Sequence, residues 1–297
     1  NQERNSGYEV HIMNQTVPAI QTPFMLHKQL FICYLNQFSH LMTEFTFQDS
    51  FNLMNQLKPE QIELLKQFGI QHTVTCQMYA FSQKFEHSNS INFISDLFSC
   101  SEFQNNFVLP DITGKRSIFI KSKQQVELTE LSVSAKHSQQ LMPAISERYV
   151  QGETFKGIAP ERIQHLDVDI NYLIDAALFD NKCEDYKTFD QAWRDELLNI
   201  IFMVIRIGGQ MNQQSSSVAD YVGLALQIYK AMVKPVRLEA EEKLTLKHVS
   251  AFKVNSISNG DLFPDNIDLE RHPGNVCVVV IDQLRRYAYI LYNCVWN

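Results

Sequence analysis

The stretch VCVVVIDQLRRYAYILYN, residues 276–293, decides the fold. Two runs of β-branched and aromatic residues flank a short polar segment, QLRR, so the pattern predicts an antiparallel hairpin turning at 283–286. The second run continues to the end of the sequence as YAYILYNCVWN, residues 287–297, and its apolar residues need covering. Three roles fit such an ending: the last strand of the chain's own core, one wall of an active site, or an arm that docks on another copy. Just upstream, LTLKHVSAFKVNSI (244–257) alternates well enough to form a further strand.

Further back the period changes to that of helices. PERIQHLDVDINYLIDAALF (160–179) places Ile163, Leu166, Ile170, Leu173 and Ala177 on one helical face. A second helix is predicted through AWRDELLNIIFMVIRI (192–207), capped by Thr188 or Asp190 and stopped by Gly208-Gly209. Its second half is apolar all round, which predicts a central, buried position. A third, VADYVGLALQIYKAMVK (218–234), ends before Pro235, and PEQIELLKQFG (59–69) reads as a short helix with proline in its first turn. The first forty residues read as strands or an extended lead-in. The polar SQKFEHSNSINFISDLFSCSEFQNN (82–106) reads as loops around one short helix, and KRSIFIKSK (115–123) as a strand. The expected class is α+β: a helical centre flanked by antiparallel strands from the N-terminal and C-terminal regions. The expected organisation is a single domain over 1–297, with 287–297 as a C-terminal oligomerisation arm.

Composition narrows the function classes. Of 297 residues, 45% are hydrophobic and 20% charged, the balance of an ordinary globular chain. A net charge of −7 opposes nucleic-acid coating through global charge, while leaving local basic strips open. The six cysteines form no CxxC and no zinc spacing, so reduced thiols in the cytoplasm are expected, and no membrane span or signal-peptide pattern is seen.

One constellation points to cysteine hydrolysis. Cys76 opens CQMYAFSQKF, read here as a helix whose N-terminus favours a thiolate, and Gln71 stands upstream as an oxyanion donor. His272 precedes one hairpin strand as base and Asn293 ends the other as its orienter, the papain-like order. The papain family's Cys-Trp-Ala-Phe-Ser pattern, however, aligns Met78 with the nucleophile, and a buried cysteine beside a loop histidine is the commoner arrangement. Asp167 and Asp169 form a DxD pair, but on a helix two residues diverge by about 200°. No glycine-rich phosphate loop, no paired histidine spacing and hence no metal or cofactor is expected.

Basic residues offer a different chemistry. On a strand, Lys115, Phe119, Lys121 and Lys123 share one face and Arg116 takes the other, while Arg285 and Arg286 add a basic hairpin tip. Lysines interleaved with an aromatic follow a phosphate backbone while a base stacks on the ring. An edge strand that uses lysine against aggregation gives the same pattern.

The N-terminal QERNSGYEVHI (2–12) resembles the start of the viroplasm matrix proteins of plant-infecting fijiviruses. That resemblance implies a non-structural viral scaffold that self-assembles into higher homo-oligomers. It would bind single-stranded RNA without sequence preference and form viral inclusion bodies in the host-cell cytoplasm. Lys115, Arg116, Phe119, Lys121, Lys123, Arg285 and Arg286 would then hold RNA. Tyr289, Ile290, Leu291, Tyr292, Val295 and Trp296 would link subunits, with no cofactor and no membrane. Nucleotide hydrolysis, associated with that family, finds no P-loop here. The alternative expectation is the hydrolase built on Cys76, His272 and Asn293.

Overall fold

A computed structural model describes residues 43–111, 114–117, 125–134, 145, 148–157, 172–209, 212–237, 244–258, 262–263 and 272–295. All of them belong to one compact unit, Thr43–Asn297. In chain order the first part holds β1 (Phe45–Phe47), α1 (Leu53–Gln56), α2 (Pro59–Gln67), β2 (Val74–Phe81), α3 (Ser90–Ser99) and α4 (Ser101–Asn106). Then come β3 (Val108–Asp111), β4 (Gly114–Ser117), β5 (Val126–Leu131), β6 (Val150–Gln151) and β7 (Thr154–Phe155). The helical centre holds α5 (Leu173–Phe179), α6 (Gln191–Arg194), α7 (Leu197–Ile207) and α8 (Val218–Met232). The last part is β8 (Val236–Arg237), β9 (Leu244–Thr245), β10 (Val249–Ile257), β11 (Val276–Asp282) and β12 (Tyr287–Asn293). The class is α+β, as the pattern predicts.

A six-stranded sheet in the order β1-β2-β12-β11-β10-β5 organises the molecule, and every neighbouring pair is antiparallel. The predicted hairpin is present, with Val276 opposite Asn293 and Asp282 opposite Tyr287. β12 is an inner strand: Leu291 faces Val278 on one side and Cys76 on the other. Alternation divides its side chains between two apolar layers. Tyr289 and Leu291 join Val278, Val280 and Cys76 against α7 and α8. Ala288, Ile290 and Tyr292 join Val279 and Ile281 against the phenylalanines of α3 and α4. Helices on both faces explain why all seven residues of β11 are buried, where a sheet open to water on one side would alternate. The segment 82–106 is thus a second core layer, built on Phe93, Phe98 and Phe103 with Phe107 just beyond it, rather than loops around one helix.

The helix predicted over 192–207 is broken in two. Asp190 caps α6 by accepting from the Trp193 amide at 2.8 Å, as predicted. The chain then opens at Asp195-Glu196, because the residue after β5 inserts there. The Ser132 amide donates to the Asp195 carbonyl at 2.9 Å, and the Leu197 amide donates to the Ser132 carbonyl at 3.1 Å. Gly208, at φ 70°, ends α7. At Gly209 a Cβ would meet the Gly69 carbonyl oxygen at 2.2 Å, so the ends of α2 and α7 touch backbone to backbone. Of the predicted helix over 160–179, Leu173–Phe179 is helical, and its earlier residues, like the lead-in before residue 43, lie outside the described residues.

Between α5, α7 and α8 sits the one fully buried arginine among the described residues. Arg206, at 0% exposure, donates from Nε and Nη2 to both oxygens of Asp175, at 2.5 and 2.8 Å. Its guanidinium lies 4.6 Å from the rings of Phe155 and Tyr221 and 4.8 Å from that of Tyr172. A fork-to-fork pair satisfies four polar atoms at once, and the ring faces offset the desolvation of the cation. Removing one partner would leave a buried charge alone. Asp175→Ala or Arg206→Leu is therefore expected to cost about 3–5 kcal/mol in urea unfolding, whereas the double substitution recovers most of that loss.

Candidate functional site

Cys76, His272 and Asn293 do not form a hydrolytic centre. Cys76 is not at a helix N-terminus: it stands mid-way along β2, inside the apolar layer facing α7 and α8. Burial alone holds its thiol well above the ordinary cysteine range, the reverse of an activated nucleophile. The misreading has a physical source, since CQMYAFSQKF carries both periods and the helix reading lost to sheet pairing on both sides of the strand. His272 and Asn293 do meet, around Gly274. The Gly274 amide donates to His272 Nδ1 at 3.1 Å, and Asn293 Nδ2 donates to the Gly274 carbonyl at 2.6 Å. With the Val295 amide donating to Asn275 Oδ1 at 2.9 Å, these contacts pin the turn before β11 to the end of β12. The adjoining cavity is lined by Val74, Ile201, Val204, Ile205, Ile228, Val276, Leu291 and Asn293, a wall with one polar side chain. Asp167 and Asp169 lie outside the described residues, and among those described no three His, Cys, Asp or Glu side chains are placed to hold a metal ion.

Among the described residues Glu196 is the carboxyl most displaced from its ordinary state. It stands at the break between α6 and α7 at 3% exposure, and burial raises its pKa to about 8 against the opposing pull of a hydrogen bond from the Ser134 backbone. A raised carboxyl in a cleft marks many catalytic acids. Here the group lies under the edge of the sheet, beside the Ser132 bridge, and its role is to join β5 to the helix layer.

The residues expected to link subunits form the interior of this chain's own sheet. Tyr289, Ile290, Leu291, Tyr292 and Val295 are all buried, and Trp296 lies outside the described residues. Of the basic strip, Lys115 and Arg116 are on β4, opposite Pro110 and Leu109 of β3, while Phe119, Lys121 and Lys123 lie outside the described residues.

Arg285 and Arg286 stand at the exposed β11–β12 turn, as predicted. Asp282 builds that turn: its Oδ1 accepts from the Leu284 and Arg285 amides at 3.1 and 2.9 Å, and its Oδ2 accepts from Arg285 Nη1 at 2.7 Å. Arg286 adopts φ 56°, a left-handed conformation costly for a side chain of this size, and donates from Nη1 to the Ser82 carbonyl at 2.7 Å. Other segments converge on the same tip. The Lys234 carbonyl accepts from Arg285 Nη1 at 3.1 Å and lies 3.1 Å from His248 Nε2, and the Gln283 amide donates to the His248 carbonyl at 2.9 Å. β8 and β9 pair alongside, Arg237 opposite Leu244. Lys234 thus joins the two predicted arginines, and Arg237 and Lys247 follow and precede its contacts closely in sequence. Sequence reasoning missed them because they lie on separate segments with no common period.

A profile of the family described as cilia- and flagella-associated protein 300 matches residues 42–293, which takes in nearly every element of the fold. The chain belongs to that family. Cilia- and flagella-associated protein 300 of Paramecium tetraurelia is 23% identical over 232 residues, which cover 78% of this chain and 86% of that protein. The protein of the same description from Chlamydomonas reinhardtii is 36% identical over 106 residues, 35% of this chain and 40% of that one. No solved structure matches. These relationships overturn the viral reading. The resemblance to viroplasm matrix proteins rested on residues 2–12, all upstream of the matched segment. The assignments that followed from it, an RNA-binding viroplasm scaffold in viral inclusion bodies, fall with it. The hydrolase alternative falls on the geometry of Cys76.

The Glu196 carboxyl generates a pH dependence. Its folded pKa, about 8, exceeds its ordinary 4.5, so the folded state holds the proton more tightly than the unfolded one. The stability it contributes is fully present below its ordinary pKa and is lost as pH rises through the folded value. The urea midpoint is expected to fall between about pH 5 and pH 8, and Glu196→Gln should flatten that slope.

Proposed function

We propose that this chain is a non-catalytic binding component of cilia or flagella, acting on the cytoplasmic side of the cell. The family match over residues 42–293 carries the reading, since the relatives it joins are described by their association with cilia and flagella. The chemistry of the described residues supports the non-catalytic part. The ionic groups in the interior are spent on holding elements together: Arg206 on Asp175, and Arg194 on the carbonyls of Phe189 and Leu178. Among the described residues no helix is long and apolar enough to cross a membrane.

What remains for function is surface recognition, and the β11–β12 tip offers exposed charge on a hydrogen-bonded turn. A fluorescently tagged chain, expressed in a ciliated cell from which the native copy has been deleted, tests this reading. Deletion should disturb cilium number, length or beating. Both the wild-type chain and Cys76→Ala should restore it, with the tag in the cell body or the cilium. Normal cilia in the deleted cell would contradict the ciliary assignment, and failure of Cys76→Ala to rescue while folded would contradict the non-catalytic one.

A further inference from the structure

Hydrogen bonds bring Ser82, Lys234 and His248 to the hairpin tip at 282–286, where Lys234, Arg285 and Arg286 stand. Lys84, Arg237 and Lys247 lie within three residues of those contacts in sequence, and among the described residues of these segments the one carboxylate is Asp282. In a chain whose net charge is −7, that is a local reversal of sign. Asp282 itself is buried and spent on the turn, with Arg285 and two backbone amides on its oxygens. Glu44 enters only at the margin, through backbone contacts with Ser82. Two large apolar side chains stand among the cations: Leu284 at the tip and Leu244 on β9, each 61% exposed.

We propose that this tip is a docking surface for an acidic segment of a partner protein that carries an apolar side chain among its carboxylates. The proposal deepens the binding role given above and rests on that reading. Three observations support it. Arg285 and Arg286 are held in place before a ligand arrives, because Asp282 fixes the turn and Arg285, Arg286 is tied to Ser82, and the Lys234 carbonyl gathers Arg285 and His248. Preorganised charge loses little entropy on binding and steers oppositely charged partners. The cations also crowd one another: burial and the neighbouring Arg285 both pull the Lys234 pKa down, a repulsion that bound carboxylates would relieve. Finally, the exposed apolar groups are aliphatic. Leucines give an apolar side chain a place to rest but offer no face on which a nucleic-acid base can stack, which favours a peptide over RNA.

The test uses the whole chain, whose Glu239, Glu241 and Glu242 lie outside the described residues, and fluorescence anisotropy. The probes are a labelled glutamate-rich peptide with one central leucine, its glutamine counterpart, and oligouridylate. The acidic peptide should bind at low salt and weaken as salt rises, and the glutamine peptide should not bind. Lys247→Glu should weaken binding by about tenfold, with most of the loss at low salt. Leu284→Ser should weaken it while leaving the salt dependence unchanged. Arg286→Gly removes one charge at a backbone angle that suits glycine, so a folded variant with reduced affinity is expected. No binding of the acidic peptide, binding indifferent to all three substitutions, or equally tight oligouridylate binding would overturn the proposal. Its failure is distinct from failure of the ciliary reading: a chain that restores cilia but ignores the peptide loses only the tip, and one that binds the peptide but leaves cilia unaffected loses only the ciliary role.

Discussion

The packing of the helical layer depends on the ion pair between Arg206 and Asp175. Arg206 comes from an otherwise uncharged helix, α7, and Asp175 from the first turn of α5, where it also accepts from the Tyr172 amide at 3.2 Å. The rings around the guanidinium bring in β7 through Phe155 and α8 through Tyr221. Tyr221 stacks in turn on Phe68, at the end of α2, with centroids 4.5 Å apart. One buried charge therefore fixes the mutual position of segments distant in sequence. An apolar substitute could fill the same space, but the charged fork adds a directional contact that aligns α5 with α7.

With that layer fixed, the sheet has an apolar cover on one face, and the phenylalanine-rich α3 and α4 supply the other. The sheet separates the two layers, so its middle strands must be apolar on both sides. β11 and β12 meet that requirement, which gives the sequence ending its sense: its last strand is the centre of the sheet, and its turn is the exposed tip where cations collect. Core and surface are thus coupled. The hairpin that completes the interior also presents Leu284, Arg285 and Arg286 to solvent.

Much of the fold is legible in the sequence where a local rule is strong. The hairpin over 276–293, the proline-led helix at 59, the Asp190 cap and the Gly208 stop all follow from short-range chemistry. What the sequence hides depends on distant partners. Ser132 splits a continuous helical pattern at Asp195-Glu196, and nothing near residue 195 announces it. Cys76 falls on a strand because β1 and β12 pair with its segment, although the segment's own period allows a helix. A usable signal for the buried ion pair was present: a lone arginine in IIFMVIRI and a lone aspartate in LIDAALF are charges that only mutual pairing makes tolerable. At the tip, Arg285 and Arg286 can be read locally, whereas Lys234 and Lys247 join them only through the sheet. The viral resemblance failed for a related reason, since it rested on eleven residues, 2–12, that lie outside the segment matched by the family.

The central claim is that the C-terminal strand is the middle of this chain's own core. Amide hydrogen exchange under native conditions tests it most directly, because exchange reports how much structure must open to expose each amide. The account predicts that the amides of β11 and β12 are among the slowest in the chain, exchanging only through global unfolding, while those of β1 at the sheet edge exchange faster. Rapid exchange across Tyr287–Asn293, with β2 and β11 still protected, would contradict it.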